Sequence, residues 1–125
     1  MLSNEATIMV VDDMRLIRSA MKMYLKTLGY NKVIEASDGK EALEKYHAEK
    51  PGFIFLDVVM PNLTGEEVLK EIRKTDKATP VVMLTSVAEE KTIQSCQQNG
   101  ILGYAIKPIN KENGPQLLSE FLAKA

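Results

Sequence analysis

One cysteine and one histidine occur in 125 residues. Cys96 has no partner for an internal disulfide, and without a CxxC pair or a Cys/His cluster the chain has no means of holding structural zinc. Both absences fit a reducing compartment, and a cytoplasmic location is expected. An excess of one charge is also missing. Lys and Arg number 16 against 17 Asp and Glu, for a formal net charge of -1, so nothing draws the chain toward nucleic acid. No apolar run approaches the ~18 residues that span a bilayer, and residues 1–7 lack the apolar segment of an export signal, so no membrane partner is expected. Repeats, low-complexity tracts and long linkers are lacking too. At 13.9 kDa the chain is expected to form a single domain over residues 1–125, long enough to bury a core without staples.

What is present alternates between short apolar runs and amphipathic stretches. Residues 7–11 (TIMVV), 33–36, 53–56 (FIFL), 81–84 (VVML) and 103–106 read as strands. Between them, Ile17, Ala20, Met21, Tyr24, Leu25 and Leu28 draw one helix face. Ala42, Leu43 and Tyr46 draw a second face, and Val68, Leu69 and Ile72 a third. Ile93 and Cys96 make a weaker fourth, and Leu117, Leu118, Phe121 and Leu122 a fifth. Gly29 is expected to stop the first helix at a positive φ, Asp38-Gly39 to turn the chain, and Pro51-Gly52 to follow the second helix. Cys96 and the seven methionines read as core filling, and His47 as a surface residue. Strands that are apolar at every position are buried on both faces, as in a parallel sheet covered by helices. The expected fold is a doubly wound, five-stranded, three-layer α/β/α domain with its site at the carboxyl ends of the strands.

Polar chemistry sits at four of those ends: Asp12-Asp13, Asp57, Thr85-Ser86 and Lys107-Pro108. Singly, each has an ordinary reading. Asp13 is an acceptable cap for the first helix, Thr85 or Ser86 for the fourth, Asp57 a turn residue and Lys107 a solvated side chain. Together they are harder to dismiss, because the topology gathers these ends in one crevice. Two unit charges ~5 Å apart at an effective dielectric of ~20 repel by roughly 3 kcal/mol. A cluster of three carboxylates therefore calls for a cation. Oxygen donors without His or Cys favour a hard, hydrated divalent ion, so Mg2+ is expected rather than zinc. With Lys107 present, such a site is close to neutral and can accept a phosphoryl group.

The segments VVDD ending at Asp13, FLDVVMPNLTG from Phe55 to Gly65 and containing Asp57, MLTS around Thr85 and YAIKP around Lys107 carry a resemblance. In these, and over nearly its whole length, the chain resembles response-regulator receiver domains, most closely the stand-alone CheY-type chemotaxis regulators. The resemblance implies a flavodoxin-like strand order 2-1-3-4-5 and a phosphorylation-dependent switch in a two-component system. It implies Asp57 as phosphoacceptor, charged by a histidine kinase or phosphotransfer protein. Mg2+ would be held by Asp12, Asp13, Asp57 and the backbone carbonyl of Val59. Lys107 would neutralise phosphoryl oxygens, Thr85 would hydrogen-bond the phosphoryl group, and Tyr104 would act as a rotamer switch. A cis Lys107-Pro108 peptide is also implied. On this reading the protein is no enzyme in the ordinary sense, since it catalyses only its own phosphorylation and dephosphorylation. It would act as a monomer on a downstream protein through its fourth helix, fifth strand and fifth helix.

Three single positions and one dipeptide depart from the family pattern. Val59 and Val87 stand where relatives often place polar side chains, Ile109 stands where Phe is usual, and Gly114-Pro115 implies a last helix that starts late after an irregular stretch. The competing functions are distinguishable. A flavodoxin needs a hydroxyl-rich phosphate loop where this chain has Asp12-Asp13-Met14, and a haloacid-dehalogenase-type phosphatase needs two Asp separated by one residue. A receiver that binds partners without phosphorylation, or the receiver portion of a larger regulator, remains as an alternative.

Overall fold

The computed structural model describes residues 2–86 and 90–125. Its elements are β1 (Ile8–Val11), α1 (Arg15–Thr27), β2 (Val33–Ala36), α2 (Gly39–Glu49), β3 (Phe53–Asp57), α3 (Gly65–Arg73), β4 (Val81–Thr85), α4 (Glu90–Gln98), β5 (Gly103–Ile106) and α5 (Gly114–Ala123). Every strand pairing is parallel, in the order β2-β1-β3-β4-β5, as the family resemblance implied.

Successive side chains of a strand point to opposite faces, so each central strand feeds two cores. On one face Met9, Val11, Ile54, Leu56 and Met83 meet the apolar stripes of α2, α3 and α4, including Tyr46, Leu69 and Cys96. On the other, Ile8, Val10, Phe53, Phe55, Val82 and Leu84 meet α1 and α5 through Met21, Tyr24, Leu25, Leu118 and Phe121. Each fully buried aliphatic or Phe side chain contributes about 2 kcal/mol by leaving water, and this two-sided burial drives assembly of the layers. The outer strands differ. Tyr104 and Ile106 of β5 are exposed, so burial on both faces holds for β1, β3 and β4 but not at this edge.

Local details confirm some expectations and correct others. Gly29 has a φ of 97°, and the N–H of Tyr30 reaches the carbonyl of Leu25 behind it. Asp38-Gly39 is not a free turn. Asp38 caps α2 by accepting from the Glu41 N–H at 2.8 Å, and Gly39 is the first helical residue. Met14 and Met23 are exposed, so the methionines are not uniformly core, although Met9, Met21, Met60 and Met83 are buried. The last helix starts at Gly114 with Pro115 in its first turn, as expected. Of residues 110–114, expected to be irregular, Gly114 already belongs to the helix, and residues 110–113 form a turn in which Asn110 Oδ1 accepts from the N–H groups of Glu112 and Asn113. The Lys107-Pro108 peptide is cis.

Candidate functional site

Strands β3 and β4 each run one residue beyond the apolar segment read from sequence, and the added residues are Asp57 and Thr85. Both are thereby held by the sheet rather than by a loop. Asp12 follows β1 directly and is fully buried. Its N–H donates to the Ala36 carbonyl at 3.1 Å, and its Oδ1 accepts from the Met14 N–H at 2.9 Å. Lys107 follows β5, and its N–H donates to the Thr85 carbonyl at 2.7 Å. The four strand ends singled out from sequence therefore do meet at one edge.

At the centre, Lys107 Nζ donates to Asp12 Oδ2 at 2.8 Å and lies 3.2 Å from Asp57 Oδ1. The lysine thus bridges two buried carboxylates, with Asp12 the nearer. Asp57 is only 5% exposed, and burial raises its carboxyl pKa to about 6, helped by the neighbouring charge of Asp12. Lys107 and a backbone hydrogen bond from Val59 oppose that rise. Burial also works against the Lys107 ammonium, but its hydrogen bond to Asp12 and the charge of Asp57 outweigh it and hold its pKa above the ordinary lysine value.

Asp13 lies on the solvent side of the same cluster. One ligand oxygen from each of Asp12, Asp13 and Asp57 falls within 4.8 Å of the others. The Val59 carbonyl accepts no hydrogen bond among the described residues, whereas the Val58 carbonyl is taken by the Gly65 N–H at 2.9 Å. Three carboxylates, a free carbonyl and one face open to water suit a hard divalent ion that keeps part of its hydration shell. The donor set fits Mg2+.

The ordinary reading of Asp13 fails on geometry. Asp13 does not cap α1, whose N-cap is Met14 with no side-chain hydrogen bond. Thr85 belongs to a strand, and its hydroxyl donates to the Ser86 carbonyl at 3.0 Å. That hydroxyl makes no hydrogen bond to Asp57. Thr85 instead shares a cavity of about 340 Å³ with Tyr104, Ile106, Ile93 and Gln97, between α4 and β5. Tyr104 is 43% exposed at its rim. His47 is exposed near the far end of α2 and takes no part in the cluster. Val87 lies outside the described residues.

Two residues of the site escaped the sequence reading. Arg18 donates from Nη1 to the Asp12 carbonyl at 2.8 Å. It sits between apolar positions of a helix, where nothing marks it. Gly65 packs against β3 so closely that a Cβ there would lie 2.1 Å from the Asp57 carbonyl oxygen. A glycine opening a helix just after Thr64, which with Glu67 forms a capping box, was the available signal.

Comparison with known proteins agrees with this geometry. A family model for the response regulator receiver domain matches residues 8–119. The chain is 42% identical over 103 residues to the alkaline phosphatase synthesis transcriptional regulatory protein PhoP of Bacillus subtilis, covering 82% of this chain but only 42% of PhoP. It is 34% identical over 119 residues to the chemotaxis protein CheY of Pseudomonas aeruginosa, covering 94% of this chain and 93% of CheY. The high-resolution structure of the chemotaxis response regulator CheY4 of Vibrio cholerae superposes with a TM-score of 0.84 at 34% identity, over 94% of this chain and 98% of that one.

Proposed function

The chain belongs to the response-regulator receiver family, and from that premise we propose that it is a phosphorylation-controlled switch whose acceptor is Asp57. The observation that carries this reading is the buried Asp57 carboxylate, held 3.2 Å from Lys107 Nζ beside a second acid. The donor is a phosphohistidine on a histidine kinase or phosphotransfer protein. Asp57 attacks phosphorus, the O–P bond forms as the N–P bond breaks, and the imidazole leaves. With its carboxyl pKa at about 6, Asp57 is ionised and nucleophilic near neutral pH. Lys107 is already placed to exchange its contact with Asp57 for one with a phosphoryl oxygen, and its raised pKa keeps it charged throughout. Asp12, Asp13, Asp57 and the Val59 carbonyl would hold Mg2+, which when bound would supply further positive charge for the phosphoryl oxygens.

Downstream, Thr85 leaves its bond to Ser86 for the phosphoryl group, and Tyr104 moves toward the space it vacates. The altered surface of α4, β5 and α5 then binds a target protein. The chain acts as one receiver unit, as a monomer in the cytoplasm, and turns over nothing but its own phosphate. No helix among the described residues is long and apolar enough to cross a membrane. Incubating the protein with acetyl phosphate and Mg2+ and measuring intact mass tests the assignment. The parent is expected to gain one phosphoryl group and Asp57→Asn none. Undiminished labelling of Asp57→Asn overturns it.

A further inference from the structure

The acidic pair must be held as well as assembled, and its two members are held very differently. Asp12 is fixed on every side, by Lys107, by the Met14 N–H and by β2. Asp13 is exposed, and its carboxylate makes no hydrogen bond or ion pair among the described residues. Its direction is set by the backbone alone, through the peptide plane that joins it to Asp12. The carbonyl of that plane is the one gripped by Arg18 Nη1 at 2.8 Å. Arg18 is itself anchored, since its Nε donates to Glu35 Oε1 on β2 at 3.2 Å, and its side chain is only 14% exposed. Glu35 is steadied in turn, its backbone carbonyl accepting from Lys45 Nζ on α2.

We propose that Arg18 is a positioning residue for the metal site, orienting Asp13 by clamping the Asp12–Asp13 peptide to Glu35. The proposal rests on the functional reading above, in which the acids hold a divalent ion. The planar guanidinium fork suits the task, because it satisfies two acceptors in fixed relative orientation, which an ammonium does without that geometric constraint. A rotation of the clamped peptide swings the Asp13 carboxylate away from Asp12 and Asp57 while leaving Asp12 tied to Lys107. The cluster then loses a ligand without losing its fold.

The test is Mn2+ affinity, measured from the paramagnetic resonance signal of the free ion, on parent, Arg18→Gln, Arg18→Lys and Lys22→Gln, each checked for folding by urea denaturation. Removing the partner that orients a ligand is expected to weaken binding about tenfold in Arg18→Gln, with Arg18→Lys between it and the parent. Lys22 is exposed and lies 4.0 Å from Glu35 Oε2, so Lys22→Gln removes the same charge without touching the Asp12 carbonyl. Its affinity is expected to stay within about twofold of the parent. The Mg2+ concentration that half-saturates labelling by acetyl phosphate rises in parallel in Arg18→Gln, while the rate at saturating Mg2+ is retained. Equal Mn2+ affinity in parent and folded Arg18→Gln overturns the proposal and leaves Arg18 a structural bridge. An equal loss in Lys22→Gln overturns it in favour of long-range charge. If Arg18→Gln does not fold, Arg18→Lys decides, and parent-like affinity there overturns the proposal. Failure of the parent itself to bind Mn2+ removes the metal reading instead.

Discussion

Asp57 is a carboxylate whose pKa burial raises, and this sets a pH signature for stability. In the unfolded chain the carboxyl titrates at its ordinary 3.8, in the folded protein at about 6. Between those values the folded state binds more protons than the unfolded state. Stability therefore falls as pH rises from about 4 to about 6 and levels off above. Replacing the charge should relieve this. Without divalent ions, Asp57→Asn is expected to be more stable than the parent at pH 7 by up to about 3 kcal/mol, an advantage that disappears below about pH 4. Urea denaturation in EDTA at both pH values checks it, and an equal difference at the two counts against the assigned burial. Val59 belongs to the same scale. At 60% exposure it stands by Asp57 with no group to orient an attacking water. A Val59→Asn variant is therefore expected to release phosphate several-fold faster than the parent, since aligning a water removes part of its entropic barrier. The rates are compared by phosphate-release assay, and a slower variant refutes the argument.

Elements meet at two places where a single residue decides the fit. One is the start of α3. Gly65 lets the helix approach β3, and a methyl group there collides with the backbone of Asp57 itself. Gly65→Ala should cost about 2 kcal/mol of stability through overpacking and, on the proposed function, slow labelling by acetyl phosphate as well, because the Asp57 carboxylate is displaced. A variant that loses stability but labels at the parent rate shows that the backbone of Asp57 does not move. The other is Asp76, at the opposite end of the sheet. It accepts from the hydroxyls of Tyr46 on α2 and Thr79, each at 2.6 Å, and from the N–H groups of Ala78 and Thr79. Arg73 adds bonds to the carbonyls of Asp76, Thr79 and Gly100. The hydroxyls of Thr79 and then Tyr46 hold the Asp76 carboxyl well below the ordinary carboxylate range. Its contribution is thus complete above the unfolded value near 4 and is lost as pH falls below it. Asp76→Ala is expected to destabilise the protein by about 2 kcal/mol at pH 7, and by less at pH 3, with Asp57 labelling unchanged. Equal destabilisation at the two pH values rules out an ionised hub.

Across the whole molecule, the site and the exposed edge of β5 are linked by one cavity. Thr85 opens onto it from the site and Tyr104 stands at its rim. A phosphoryl group can shift the equilibrium only by the difference in its contacts with the two states. The Thr85 hydroxyl, now spent on Ser86, is the contact available to differ. Adding beryllofluoride and Mg2+ is therefore expected to move the Tyr104 ring toward burial, read by NMR as changed ring shifts and slower ring flipping. An unchanged Tyr104 environment refutes the link.

Much of this architecture was legible in one dimension. Apolar runs such as 53–56 and 81–84, and stripes such as Met21, Tyr24 and Leu25, follow from the periods of strand and helix. Those periods are local and need no knowledge of neighbours. They also placed Asp12, Asp13, Asp57, Thr85 and Lys107 at strand ends, because a polar residue closing a buried run can lie nowhere else. Their roles, and the strand order, came from resemblance. What only the tertiary structure decided are the approaches between elements distant in sequence. Lys107 bonds Asp12 more closely than Asp57, Arg18 grips the Asp12 carbonyl, and Gly65 admits α3 against β3. Asp38 becomes a cap, Met23 is left outside, and β5 shows one face to solvent because it lies at the sheet edge. Such pairings depend on distances of a few ångströms set by packing across the sheet, and hydrophobic periodicity does not encode those distances.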